Sequence, residues 1–132
     1  MLKKHTLSID TLGSETNIDD ICNGLSLSLE RNINYKFIIF GNEKSLKLSV
    51  SRFKNLIKSV EIINCSQEIL MSDIPSEVIK HKRDSSMSQA ILSVSEKNSD
   101  AVLSFGNTGA LMTFSLLMIK TLRDIRRPAI AS

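Results

Sequence analysis

Apolar positions along this chain change their period repeatedly, and each change marks a new element. Leu7 to Asp10 is a short apolar run ending in a carboxylate, with Gly13 just behind it. That pattern predicts a buried strand entering a loop. Thr16 stands three residues before Asp19, a helix-start spacing. Ile18, Ile21, Cys22, Leu25 and Leu29 then recur at helical intervals. Tyr35 to Phe40 predicts a second strand, closed by Gly41-Asn42. Leu46, Val50, Phe53 and Ile57 predict one amphipathic helix, and Val60 to Ile63 a third strand. After the less regular stretch from Cys65, Pro75 fits the first turn of a short helix reaching about His81. Asp84 or Ser85 can cap the next helix, with Ser86 and Gln89 at capping-box spacing. Ala101 to Leu103 predicts a fourth strand, Gly106-Asn107-Thr108-Gly109 a turn, and the apolar run beyond it a helix to about Thr121. Pro128 to Ala131 predicts the start of a fifth strand, with Ser132 inside it.

Strands alternating with helices predict an α/β sandwich on a mostly parallel sheet. The right-handed crossover rule makes that topology economical. The length of 132 residues suits one modest domain, and 42% apolar residues are enough to pack it. No repeat, linker or low-complexity tract divides the chain. The net charge of +3 is small. With no long basic run and few aromatic residues, nothing points to nucleic acid. Cys22 and Cys65 stand far apart with no His or Cys at ligand spacing, so they read as reduced core residues, and no metal site is expected. No secretory signal follows Lys3, Lys4 and His5. The most apolar stretch, Ala110 to Ile119, is too short to span a bilayer. A cytoplasmic protein is the expectation.

Three constellations could carry chemistry. The first joins the fourth strand to the apolar helix: Ser104-Phe105-Gly106-Asn107-Thr108-Gly109-Ala110. Glycines let a backbone turn sharply and approach a ligand, and a helix start offers unpaired N–H groups and a positive dipole end. These features suit phosphate; a plain turn with Asn107 or Thr108 as cap suits the same residues. The spacing fits neither a dinucleotide fingerprint nor a Walker loop. The second is the charged turn Lys80 to Met87, where Lys82 or Arg83 could neutralise an anion while Ser85 and Ser86 donate hydrogen bonds to it. A solvated turn with a capping serine is its plain alternative. The third is Asp10 with Gly13, at the carboxyl end of the first strand, where ligands bind in open α/β sheets. There a carboxylate can equally cap a turn. No ordering of Ser, His and Asp or of Cys and His indicates a covalent nucleophile, so the catalytic residues stay unassigned.

Three blocks of the chain together resemble the phosphate acyltransferase family of bacterial phospholipid synthesis (PlsX-type proteins). They are Ser99 to Met112, then Met71-Ser72-Asp73-Ile74-Pro75 with Lys82 to Met87, then Arg127 to Ala131. The resemblance covers essentially Leu7 to Ser132. It implies a Rossmann-like three-layer α/β/α sandwich, and an activity forming acyl phosphate from long-chain acyl-[acyl carrier protein] and inorganic phosphate. It implies no cofactor, a homodimer, association with the inner-membrane surface, and a membrane glycerol-3-phosphate acyltransferase as consumer of the product. Family members are more than twice this length, so residues 1–132 are expected to be the amino-terminal part of the domain, with the carboxyl-terminal half absent and no turnover alone. Two other readings stand beside it: a non-catalytic remnant or interaction module, and a phosphate acetyltransferase-like enzyme using acyl-CoA. The chain departs from the family's Asp-Ala-Met-Gly-Gly-Asp opening, reading Asp10-Thr11-Leu12-Gly13-Ser14-Glu15. Phe105 stands where the family has a small residue, which is expected to crowd the pocket beside Gly106.

Overall fold

The computed structural model describes residues 3–32 and 34–131. Four parallel strands form one sheet: β1 (His5–Asp10), β2 (Tyr35–Gly41), β3 (Val60–Asn64) and β4 (Ala101–Ser104). They lie in the order β3-β2-β1-β4. Six helices connect and follow them: α1 (Ile18–Arg31), α2 (Glu43–Val50), α3 (Lys54–Ile57), α4 (Pro75–His81), α5 (Ser86–Ser95) and α6 (Thr108–Met118). Helices cover both faces, so the chain forms a Rossmann-like α/β arrangement, as its alternating pattern predicts.

Period-two alternation divides the strands between the two faces. Ile9, Phe37 and Ile39 pack with Ile21, Cys22, Leu25 and Leu29 of α1, Leu46 and Val50 of α2 and Leu56 of α3. Each such buried Ile, Leu or Phe side chain contributes roughly 1.5–3 kcal/mol. Ile38 and Phe40 turn the other way, onto Ala90 of α5 and Cys65. Beyond α5, Met87 and Ile91 join Val78 of α4 and Ala110 and Phe114 of α6 in a further cluster. Ser8 also faces this side. It is fully buried, and its hydroxyl shares a 2.5 Å hydrogen bond with Ser99, which itself donates to Ser93 at 3.1 Å. This hydroxyl chain pins the end of α5 to the centre of the sheet.

Local signals explain most of the helix ends, with some corrections. Asn17, not Thr16, caps α1, its side chain accepting the Asp19 N–H at 2.8 Å. The single helix expected over Leu46 to Ile57 is two helices, α2 and α3. The chain breaks at Ser51–Arg52, where the Ser51 hydroxyl donates to the Leu48 carbonyl at 2.6 Å. Asp19 fixes α2 against α1, accepting from Ser49 at 2.5 Å and from Arg52 at 2.6 Å. Residues 128–131 do not form the expected fifth strand. They lie beside β4, lining a cleft with Val102 and Leu103, without entering the ladder. Pro128 has no N–H to donate to one. Ser132 lies outside the described residues.

Candidate functional site

From β1 the chain first moves outward to β2 and β3, then crosses back to place β4 on the other side of β1. The reversal puts the topological switch point between β1 and β4, the crevice where open α/β sheets bind ligands at the strands' carboxyl ends. Asp10 ends β1 and Ser104 ends β4, and the register sets the two residues directly beside each other. The alternation that turns Ser8 toward α5 turns Asp10 the same way.

Asp10 is the centre of this cluster. Only 1% of its surface is exposed. One carboxylate oxygen accepts the Ser86 hydroxyl from the first turn of α5, and the other accepts the Ser104 hydroxyl at 2.7 Å. Ser104 in turn accepts the Gly106 N–H at 3.1 Å. The ends of two strands, the start of α5 and the loop leading to α6 are thus tied to one carboxylate. Burial pushes the Asp10 carboxyl above its ordinary value of 3.8, while the two serine hydroxyls pull it down. The positive end of α5 further favours its charge.

The remaining candidates divide by what they touch. Gly106 is buried against this cluster: a Cβ there would stand 3.6 Å from Asp10 Oδ2 and 3.5 Å from Ser104 Oγ. That is ordinary contact, so neither packing nor the backbone forces a glycine there. Gly109 has a different task. A Cβ on it would meet Pro75 Cγ at 2.8 Å, so its bareness lets α6 approach α4. Gly13 is required by conformation, with φ of 71°, and by packing, because a Cβ would lie 1.8 Å from the Ile69 carbonyl oxygen.

Asn107 is buried and fully engaged. Its Oδ1 accepts the Ala110 N–H at 3.0 Å as the cap of α6. Its Nδ2 faces the carbonyls of Leu70, Met71 and Asp73 at 3.0–3.4 Å. Ser85 caps α5, accepting the Ser88 N–H at 3.2 Å, and is fully buried. Lys82 stands apart from Asp10: its ammonium donates to Asp73 at 2.5 Å and to the Glu68 carbonyl at 2.9 Å. That lysine, with the Leu70 N–H, holds the Asp73 carboxyl below its ordinary value. Thr108 is exposed at the start of α6.

The structure therefore gathers Asp10, Ser86 and Gly106 at the switch point. Asn107, Gly13 and Lys82 instead contact the 67–74 loop, and Gly109 packs against Pro75 of α4. Ser104 completes the centre; it opens the first sequence constellation, but its own role there is not legible. Its signal is its alternation with Val102 on a strand whose end faces that of β1, and this needs the strand order. Phe105 does not crowd the carboxylate. It lines a groove with Leu7, Ile21, Leu25 and Leu103, next to α1.

A cleft of about 230 Å³ opens beside Ser104 between β4, α6 and residues 128–131, its walls otherwise mainly apolar: Val102, Leu103, Leu111 and Met112 among them. A larger one, of about 460 Å³, lies over β2 and β3 and touches none of the candidate residues. Among the described residues no cluster of His, Cys, Asp and Glu could hold a metal ion. None of the described helices is long and apolar enough to cross a membrane.

Fold and site together define a parallel α/β protein with its polar centre at the β1–β4 switch point and an apolar cleft beside it. Residues 5–132 match the fatty acid synthesis protein family, and the chain belongs to it. Relatives named phosphate acyltransferase bear this out, as the three sequence blocks lead one to expect. That of Caldicellulosiruptor saccharolyticus is 35% identical over 127 residues and that of Polynucleobacter asymbioticus 38% over 128; each alignment takes in 96% of this chain. The phosphate acyltransferase of a Ruegeria species is 34% identical over 129 residues, 98% of the chain. The chain spans 38% of the length of the first two relatives and 34% of the third.

Proposed function

We propose that this protein transfers a long-chain acyl group from acyl carrier protein to inorganic phosphate, giving an acyl phosphate for phospholipid synthesis. The observation that carries the reading is family membership over residues 5–132, alongside relatives named phosphate acyltransferase. The site is compatible in kind: a polar centre at the ends of two strands, with an apolar cleft next to it that suits an acyl chain. In this reading residues 1–132 are the amino-terminal part of the acyltransferase domain and supply its phosphate side, with Asp10, Ser86, Ser104, Gly106 and the exposed Thr108 nearest the anion. A phosphate oxygen attacks the thioester carbon; the C–O bond forms, the C–S bond breaks, and the phosphate proton ends on the carrier thiol. Positioning is the main demand, because the reacting atoms must be held about 3–3.5 Å apart. A homodimer working at the membrane surface, beside a membrane acyltransferase that takes acyl phosphate to glycerol 3-phosphate, completes the proposal.

The test is a chimera joining this chain to the remaining carboxyl-terminal residues of the Polynucleobacter relative. With acyl carrier protein bearing a long-chain acyl group, it is expected to release free carrier thiol only when phosphate is added. Hydroxylamine should trap the acyl phosphate, and the 132-residue chain alone should do neither. A folded chimera without phosphate-dependent release would instead favour a non-catalytic interaction module, and release from acyl-CoA alone would favour the acetyltransferase-like reading.

A further inference from the structure

We propose that Asp10 makes this site selective for an oxyanion that still carries a proton, hydrogen phosphate, over sulfate, which carries none. The inference rests on the acyltransferase reading above and deepens it by assigning a specificity-determining residue.

The argument counts hydrogens. An ionised carboxylate only accepts hydrogen bonds, and a serine hydroxyl owns a single hydrogen. Ser86 and Ser104 both spend theirs on Asp10. The Gly106 N–H is spent on Ser104. A ligand reaching Ser104 from the adjoining cleft therefore meets a hydroxyl oxygen whose hydrogen is already spent on the buried Asp10 carboxyl behind it.

An oxyanion without hydrogen presents lone pairs to lone pairs there, and a buried polar group left unpaired loses its hydration without return. Hydrogen phosphate instead turns its P–OH to this wall and donates. Its other oxygens remain free for donors around the rest of the ligand's surface. Rejection by an unsatisfied buried acceptor is a strong form of selectivity, because it penalises the wrong ligand rather than rewarding the right one. The same hydrogen-bond count explains why no lysine or arginine needs to stand at the centre. Lys82 is engaged with Asp73 and the Glu68 carbonyl, and Arg83 with the Ile79 carbonyl.

The test titrates the purified chain with inorganic phosphate and, separately, with sodium sulfate. Both are followed by calorimetry at neutral pH and equal ionic strength. Phosphate is expected to bind at least tenfold more tightly than sulfate. Asp10→Asn gives the wall an amide donor and frees the serine hydroxyls to reorient. It is expected to narrow that ratio at least tenfold, with sulfate binding strengthened in absolute terms. Comparable affinities for the two anions in the unsubstituted chain, or no phosphate binding at all, would overturn the proposal. So would an Asp10→Asn variant that shifts both anions equally. If that variant does not fold, Ser104→Ala at the half-buried arm serves instead, and it too must narrow the ratio. Because binding is read without turnover, selective binding with an inactive chimera refutes the acyltransferase reading alone. An active chimera that binds sulfate as well as phosphate refutes this inference alone.

Discussion

Asp10 is the residue on which both the stability of the strand ends and the proposed site turn. Its carboxyl is raised above 3.8, chiefly by burial. A group raised on folding contributes stability that is full below its unfolded value and is lost as pH rises through its folded value. Asp10→Asn is therefore expected to gain stability relative to the unsubstituted protein as pH climbs from about 3.8 toward neutrality, read as a growing difference in urea midpoint. A difference that shrinks over that range would remove the argument. Asp73 has the opposite sign. Its value is lowered by Lys82, so its contribution holds above 3.8 and disappears as pH falls through the lowered value. The glycines give a second residue-scale prediction. Gly109→Ala forces a methyl against Pro75, and overpacking of that kind costs about 1–3 kcal/mol. Gly13→Ala should cost more, adding a left-handed backbone to a closer clash, whereas Gly106→Ala should leave the melting temperature nearly unchanged. A melting series that ranks these three otherwise would contradict the packing described. Sequence alone assigns all three glycines one task, approach to a ligand, because it shows the absence of a side chain and not what stands in its place.

At the scale of elements, α6 depends on one side chain. Asn107 caps the helix through its oxygen and holds the 70–73 carbonyls through its nitrogen. Losing a cap costs about 0.5–2 kcal/mol. Asn107→Ala should lose both functions, while Asn107→Asp keeps the cap and loses the donor. The aspartate variant is expected to retain most of the thermal stability yet become sensitive to proteolysis within residues 70–74. Equal protease resistance in both variants would show that the nitrogen holds nothing. The elements themselves are largely legible in sequence. All four strands fall where apolar runs end at turn residues, and Pro75 marks the start of α4. What escapes are features decided by neighbours. The break between α2 and α3 lies inside a pattern whose apolar spacing continues through it. The pairing of Asp10 with Ser104 depends on a strand order that periodicity does not contain. The Asn107 contacts reach back more than thirty residues to a stretch that looks irregular because its carbonyls are satisfied by a side chain instead of a ladder.

For the whole molecule, the sheet is unevenly covered. β4 has β1 on one side only, and Leu103 is 41% exposed on it. On α6, Leu117 is 56% exposed, and Leu122 beyond that helix reaches 81%. Exposed large apolar side chains promote association. The purified 132-residue chain is expected to sediment as a concentration-dependent oligomer, and Leu117→Lys with Leu122→Lys should shift it toward monomer. A monomer at high concentration without those changes would count against this. The strand order has a further consequence, for the time at which the protein can fold. β1 leaves the ribosome before β2, β3 and β4, yet it lies inside the sheet, and its β4 neighbour follows some ninety residues later. Contacts so distant in sequence close slowly. Until β4 emerges, β1, β2 and β3 can pair, but the far edge of β1 stays open, and with it the buried end of Asp10. Nascent chains halted before β4 should therefore be a species that chaperones hold, and the polar centre can be completed only after β4 has been made.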